Sequence, residues 1–115
     1  MIKRRKDLLD IGLSYPSTYQ DRPFKDTNWV LIRIKGSKKA FLWTYELDGE
    51  LYMNIKVDPE SRDSLRNSYE DIKPAYHQNK EHWSSVRIGG DVDDELIKVL
   101  IDVSYTLVSG RDKQK

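Results

Sequence analysis

Residues 40–57 read AFLWTYELDGELYMNIKV, and this stretch decides the fold. In its second half, residues 51–57, every second side chain is apolar, and such alternation predicts a strand with one buried face. Asp48 and Gly49 precede that strand. An Asp-Gly pair favours a two-residue turn, because a type I′ turn needs positive φ at both central positions. The stretch therefore predicts an antiparallel hairpin.

The first strand of this hairpin is expected over Ala40 to Leu47. We expect three of its aromatic side chains on one face: Phe41, Trp43 and Tyr45. Trp29 to Lys35 also alternates and predicts a preceding strand, connected through residues 36–39. The three strands together form an antiparallel meander.

Three helices are expected around these strands. Apolar residues at helical spacing predict the first over Ile2 to Leu13. The second begins after Asp58, which can cap free amide groups, and runs to about residue 68. The third is expected to start at Asp91, with Asp94 in a reciprocal capping contact. Its wide apolar stripe predicts that it covers the sheet.

The remaining segments complete the order of elements. Tyr15 to Asn28 has no periodicity and is interpreted as a structured loop. Asp71 to Tyr76 predicts an edge strand or loop, and Trp83 to Ile88 a short strand. The fold class is α+β, with the order α-β(3)-α-β(2)-α and an antiparallel sheet packed against helices. We expect one domain over residues 1–115, with a frayed tail at 110–115.

Composition narrows the function classes. The chain has no cysteine, which excludes disulfides and thiol chemistry. It has no apolar run of the roughly 20 residues that span a bilayer, so we expect no membrane partner. The absence of cysteine fits a reducing cytoplasm, and we expect a cytoplasmic protein that is a monomer. Residues 1–40 hold ten Lys/Arg and four Asp/Glu, whereas residues 41–115 hold ten and fifteen. This asymmetry favours a basic surface on a chain whose net charge is only +1.

Catalytic and metal motifs are not recognisable in the sequence. There is no glycine-rich phosphate loop and no recognisable nucleophile turn. His77 and His82 are five residues apart, which does not place two ligands on one helix face. We therefore predict no catalytic residues, no metal site and no cofactor.

Residues 74–86, PAYHQNKEHWSSV, are the strongest candidate for a functional segment. They combine hydrogen-bond donors, a cation and two aromatic rings, which suit recognition of an anion, a base or a carboxylate. The candidate residues here, with one from a neighbouring strand, are Lys56, Tyr76, His77, Asn79, Lys80, His82 and Trp83. A structural role is the alternative, above all for Tyr76 and Trp83.

The chain resembles the MmcQ/YjbR family over nearly its whole length. The resemblance is carried by Tyr76-His77, Asn79-Lys80, His82-Trp83, Lys56 with Asp58-Pro59-Glu60, Tyr19, Asp21, Pro23-Phe24, and Asp102, Ser104 and Tyr105. Gln78 and Val103 depart from it, since members often have Met and His there. The resemblance implies this same α+β order, similar to secretion-chaperone-like domains. It also implies a label, DNA-binding protein with a double-wing motif, that rests on structural likeness.

Three functions follow from these observations. The first is a nucleic-acid-binding module without catalytic activity, using DNA as partner and the basic residues around one hairpin: Arg33, Lys35, Lys38 and Lys39. The second is an adaptor that binds a protein or peptide on its open sheet or an edge strand. The third is a small-ligand site around residues 76–83.

Overall fold

The computed structural model describes residues 1–76 and 78–110, which form three helices and six strands. In chain order the elements are α1 Arg5–Leu13, β1 Thr18–Asp21, β2 Val30–Ile34, β3 Ala40–Leu47, β4 Glu50–Lys56, α2 Pro59–Ser68, β5 Ile72–Pro74, β6 Trp83–Arg87 and α3 Asp94–Ser109. The predicted elements are present, and most of their boundaries agree within one or two residues. Asp58 caps α2 as predicted, because its carboxylate accepts the backbone N–H of Glu60 at 3.0 Å.

All six strands belong to one antiparallel sheet, in the order β1-β2-β3-β4-β6-β5. The predicted meander is β2, β3 and β4 at its centre. The two short strands β6 and β5 add to the β4 side. This sheet with three helices confirms the α+β class.

The prediction of a loop over Tyr15 to Asn28 is wrong in part, because β1 forms within it. Thr18 pairs with Ile34 and Asp21 with Leu31, so β1 extends the sheet beyond β2. The four residues of β1 do not alternate in polarity. They become a strand because the free edge of β2 supplies hydrogen bonds, which is information outside the segment itself.

The expectation that Phe41 shares a face with Trp43 and Tyr45 is also wrong. Ile32 pairs with Leu42, but the next residue of β2 pairs with Ala40 rather than Phe41. Phe41 is therefore the extra residue of a β-bulge, which changes the side to which the strand directs its side chains. It packs in the core beneath the helices, whereas Trp43 and Tyr45 lie on the opposite face.

The main core lies between the sheet and the helices. It joins Leu8 and Leu9 of α1 and Ile97 and Ile101 of α3 to aliphatic residues of the sheet. Ser104 fixes α3 to the ends of two strands: its hydroxyl donates to the Phe41 carbonyl at 2.6 Å and accepts the Lys56 backbone N–H at 2.9 Å. None of the helices in the described residues is long and apolar enough to cross a membrane.

The cap predicted for the last helix is wrong. Asp93, not Asp91, accepts the backbone N–H of Leu96, at 2.9 Å, and α3 begins at Asp94. Asp91 instead accepts the backbone N–H of Glu70 at 2.8 Å, so it ties the start of β5 to the loop before α3. Of the tail that was expected to fray, residues 111–115 lie outside the described part of the chain.

Candidate functional site

The face of the sheet opposite the helices carries a continuous set of aromatic rings, which we call the aromatic face. Its members are Phe24, Trp29, Trp43, Tyr45, Tyr52, Tyr76 and Trp83. Residues paired across antiparallel strands share a face, and the pairing of Tyr45 with Tyr52 and of Lys56 with Trp83 produces this grouping. All three tryptophans of the chain are included.

The rings of the aromatic face differ in how much of their surface is exposed. Trp29 and Tyr45 are stacked with centroids 4.5 Å apart and are 9% and 1% exposed. Tyr76 stacks on both, at 6.1 Å from Trp29 and 5.3 Å from Tyr45. Tyr76 and Phe24 are 39% and 46% exposed, so these two residues offer ring surface to the solvent.

A buried chain of hydrogen bonds holds Tyr76 in place. The Ser85 hydroxyl donates to Asn54 Oδ1, so it accepts from the Tyr45 hydroxyl at 3.0 Å and from the Tyr76 backbone N–H at 2.9 Å. Asn54 Nδ2 in turn donates to the Tyr76 carbonyl at 2.9 Å and to Gln78 Oε1 at 2.8 Å. Burial raises the pKa of the Tyr45 phenol, which keeps it a donor. Both backbone groups of Tyr76 are thus satisfied by side chains.

Arg66 of α2 holds the segment that follows Tyr76. Its Nη2 donates to the carbonyls of Lys80 at 2.5 Å and Trp83 at 3.0 Å, and to Ser84 Oγ at 3.2 Å. Burial lowers the pKa of the Arg66 guanidinium. The sequence analysis missed this residue, since nothing local distinguishes it from the other arginines of the chain.

Two of the predicted site residues mainly shape the turn before β6. Asn79 Oδ1 accepts the backbone N–H of Glu81 at 2.8 Å, a contact typical of an Asx turn. His82 is half-buried, and its carbonyl accepts the Val57 backbone N–H at 2.8 Å. His77 lies outside the residues that the structure describes.

The other predicted residues are distributed over two grooves. Tyr76, Asn79 and Lys80 line an open groove of about 670 Å³ beside β5. Lys56 and Trp83 line a second groove, of about 590 Å³, with Lys39, Ala40, Trp43 and residues 107–110, which are the end of α3 and its C-cap. We call this second one the lysine groove. The Trp43 ring connects it to the aromatic face, at 6.4 Å from Trp83 and 6.0 Å from Trp29.

The basic residues of the β2–β3 hairpin differ in their partners and in their positions. Arg33 Nε pairs with Asp21 at 2.6 Å, and its Nη1 donates to the Lys38 carbonyl at 2.7 Å. Lys35, Lys38 and Lys39 are exposed at the tip. Of these cations, Lys39 lines the lysine groove.

The opposite end of the aromatic face is closed by ion pairs. Arg87 binds Asp71 and Glu50, each at 2.7 Å. The hydrogen bond from Arg87 holds the pKa of the Asp71 carboxyl below its usual range. Arg87 thus offsets part of the charge of two carboxylates. The described residues hold no cluster of three or more His, Asp or Glu that could bind a metal ion.

Several residues of the site were not identified from the sequence, although one of them, Asn54, stands out there. Asn54 interrupts the centre of an otherwise hydrophobic and aromatic hairpin, and a buried amide needs partners. Trp43 has a buried indole N–H without a hydrogen-bond partner among the described residues. No local sequence pattern predicts this unpaired N–H, because it depends on how three strands pack together.

Comparisons with known proteins show to which family the chain belongs. A family model described as YjbR matches residues 13–107. The chain is 33% identical over 99 residues to the uncharacterised protein YjbR of Escherichia coli K12, covering 86% of this chain and 81% of that protein. It is 42% identical over 95 residues to the uncharacterised protein YyaQ of Bacillus subtilis, covering 81% and 77%.

Solved structures show the same likeness. A Deinococcus radiodurans protein with a DUF419 domain superposes with a TM-score of 0.86 at 31% identity, over 96% of this chain and 81% of that one. A Pseudomonas syringae protein does so with a TM-score of 0.81 at 28% identity, over 91% and 98%. The matched family model spans most of the sequence, and it includes the aromatic face and every residue of the lysine groove except 108–110. The chain belongs to the YjbR family.

Proposed function

We propose that the aromatic face binds single-stranded nucleic acid. The observation that carries this proposal is the contiguous set of seven rings on the side of the sheet that is opposite the helices of the described residues. Unpaired bases stack on aromatic side chains whatever their sequence, because every base has a π face. Tyr76 and Phe24 are the exposed rings on which such stacking begins.

The charges on this face also fit a polyanion. Three acidic residues beside it are paired with two arginines: Asp21 with Arg33, and both Asp71 and Glu50 with Arg87. Four lysines at its edges form no ion pair within the described residues: Lys39, Lys56, Lys73 and Lys80. With Glu70, which lines a pocket together with Lys73 and Arg87, these side chains carry six positive and four negative charges, and the positive excess attracts phosphate groups.

The rings favour a single strand over a duplex. Bases in a double helix are already stacked and paired, so an aromatic face finds no free base surface there. A basic helix that could enter the major groove would favour duplex binding, but exposed positions of α3 carry Glu95, Lys98 and Asp102 in mixture. The expected partner is thus an unstructured stretch of DNA or RNA.

The proposal is tested by fluorescence anisotropy with a labelled oligothymidine at two salt concentrations. We expect binding that weakens by about twentyfold between 50 and 200 mM salt if about three phosphates are contacted. Tyr76→Ala removes an exposed ring, and the loss of one stacked base weakens binding about fivefold or more. Leu13→Ala is the matched control, because Leu13 is 41% exposed on the helical side.

Two results contradict the proposal. One is the absence of salt-sensitive binding to any single strand at micromolar protein. The other is an equal loss of affinity in Tyr76→Ala and Leu13→Ala, because binding would then not depend on the aromatic face.

A further inference from the structure

The lysine groove lies where the aromatic face ends. The rings of Trp29, Trp43 and Trp83 contact one another in sequence and lead from Tyr76 toward Lys56. Beyond Trp83 the groove is bounded by residues 107–110, which are the end of α3 and its C-cap. The end of α3 would therefore block a strand of nucleic acid that follows the rings in this direction.

The two cations of the groove, like Lys73 and Lys80, are not paired with an acid. Lys39 precedes β3 and Lys56 ends β4, and neither forms an ion pair within the described residues. The backbone at Lys56 is fixed by Ser104, whose hydroxyl also donates to the Phe41 carbonyl. The groove thus combines a lysine on a fixed backbone with a second lysine whose side chain is exposed.

We infer that the lysine groove binds the terminal phosphate of a single-stranded nucleic acid, and this inference rests on the function proposed above. An internal phosphodiester carries one negative charge. A terminal phosphate monoester carries close to two near pH 7, because its second ionisation has a pKa of about 6. Two lysines at a closed end of the face match that dianion better than an internal phosphate.

The end of α3 opposes an anion, but not enough to prevent binding. The carboxyl end of a helix carries the equivalent of about half a negative charge, and Gly110 at that end lines the groove. Lys39 and Lys56 bring two full positive charges. Their sum leaves the groove positive, and the adjacent Trp83 ring can stack on the terminal base.

The test compares one oligothymidine in three forms: with a 5′-phosphate, with a 3′-phosphate, and with hydroxyl groups at both ends. We expect a phosphate at one or both ends to tighten binding about tenfold relative to the hydroxyl form, since each exposed charge pair contributes modestly. The end that shows the gain gives the polarity of the bound strand. Thymidine monophosphate, as a competitor, should displace the phosphorylated strand more effectively than thymidine does.

Variants assign the effect to the groove. Lys39→Gln should reduce the preference for a phosphorylated end, and the double variant with Lys56→Gln should abolish it, whereas Lys98→Gln on the exposed side of α3 should keep it. Lys39 is exposed, so its single variant tests the inference even if the double variant folds poorly. Equal affinity for all three oligonucleotides overturns the inference while the proposed function stands. An undiminished preference in Lys39→Gln, or a preference that survives in a folded double variant, also overturns it. Failure of every form to bind would instead remove the proposed function, and the inference with it.

Discussion

Replacement of Asn54 by alanine tests whether buried hydrogen bonds position the exposed ring of Tyr76. Asn54 is fully buried and donates to the Tyr76 carbonyl at 2.9 Å, and it accepts from the Ser85 hydroxyl. Its removal leaves that carbonyl without its side-chain donor and the Ser85 O–H without its acceptor. A buried polar group without a partner costs about 1–3 kcal/mol. Because the carbonyl is only partly buried, we expect the unfolding free energy of Asn54→Ala to fall by about 2–4 kcal/mol.

Urea denaturation followed by tryptophan fluorescence measures this change. Asn67→Ala is the matched control, because Asn67 is exposed on α2, and its effect should stay within about 0.5 kcal/mol. Ser85→Ala should also destabilise, and the double variant should lose less than the two single losses together, by about 0.5–3 kcal/mol, since both remove one shared bond. Hydrogen exchange at the Tyr76 amide, which donates to Ser85, should accelerate in Ser85→Ala.

The reasoning is refuted if Asn54→Ala is as stable as Asn67→Ala. It is also refuted if the effects of Asn54→Ala and Ser85→Ala add without any coupling. Either result would mean that the hydrogen bonds between β4, β6 and Tyr76 do not hold the aromatic face together.

Three further predictions concern the scaffold. Gly12→Ala should lower stability to urea, because the new Cβ would lie 2.9 Å from Ile32 Cγ1. Overpacking costs about 1–3 kcal/mol, which matches or exceeds the helix-propensity gain of about 1 kcal/mol. Greater stability would contradict this. Asp71→Asn should destabilise at pH 7, and the difference from the wild type should shrink below about pH 4. The hydrogen bond from Arg87 lowers the pKa of the Asp71 carboxyl, so the ionised carboxylate contributes stability that is lost as the pH falls below the pKa of an unfolded aspartate, about 3.9. A difference independent of pH argues against this. Burial raises the pKa of Tyr15 to about 12, so stability should fall between about pH 10 and 12, and Tyr15→Phe should reduce that fall; identical alkaline profiles would refute the assignment.

A strand can be predicted from the sequence where its own residues alternate between apolar and polar side chains. Alternation over residues 51–57 predicts β4 within one residue, because each buried side chain occupies its own place on one face. β1 does not follow, since it forms only when β2 presents a free edge. The bulge at Phe41 is not predictable from the sequence either, because an extra residue shifts the register of the strands without changing the local composition.

The site is less predictable than the fold because it is assembled from distant segments. The sequence singles out residues 74–86 as dense in polar and aromatic side chains, and the structure gives Asn79 and the His82 carbonyl contacts that shape a turn. The rings that support Tyr76 come from β3 and the residue before β2. No spacing rule relates positions that meet only through strand pairing.

The indole N–H signals of Trp29, Trp43 and Trp83 test the central claim most directly, because every tryptophan of the chain belongs to the aromatic face. In an NMR titration of the ¹⁵N-labelled protein with a single-stranded oligothymidine, the account predicts that all three signals shift, while the amide of Val99 on the far side of α3 does not. Shifts confined to the helical side, or unmoved indole signals at a concentration where anisotropy shows saturation, would contradict it.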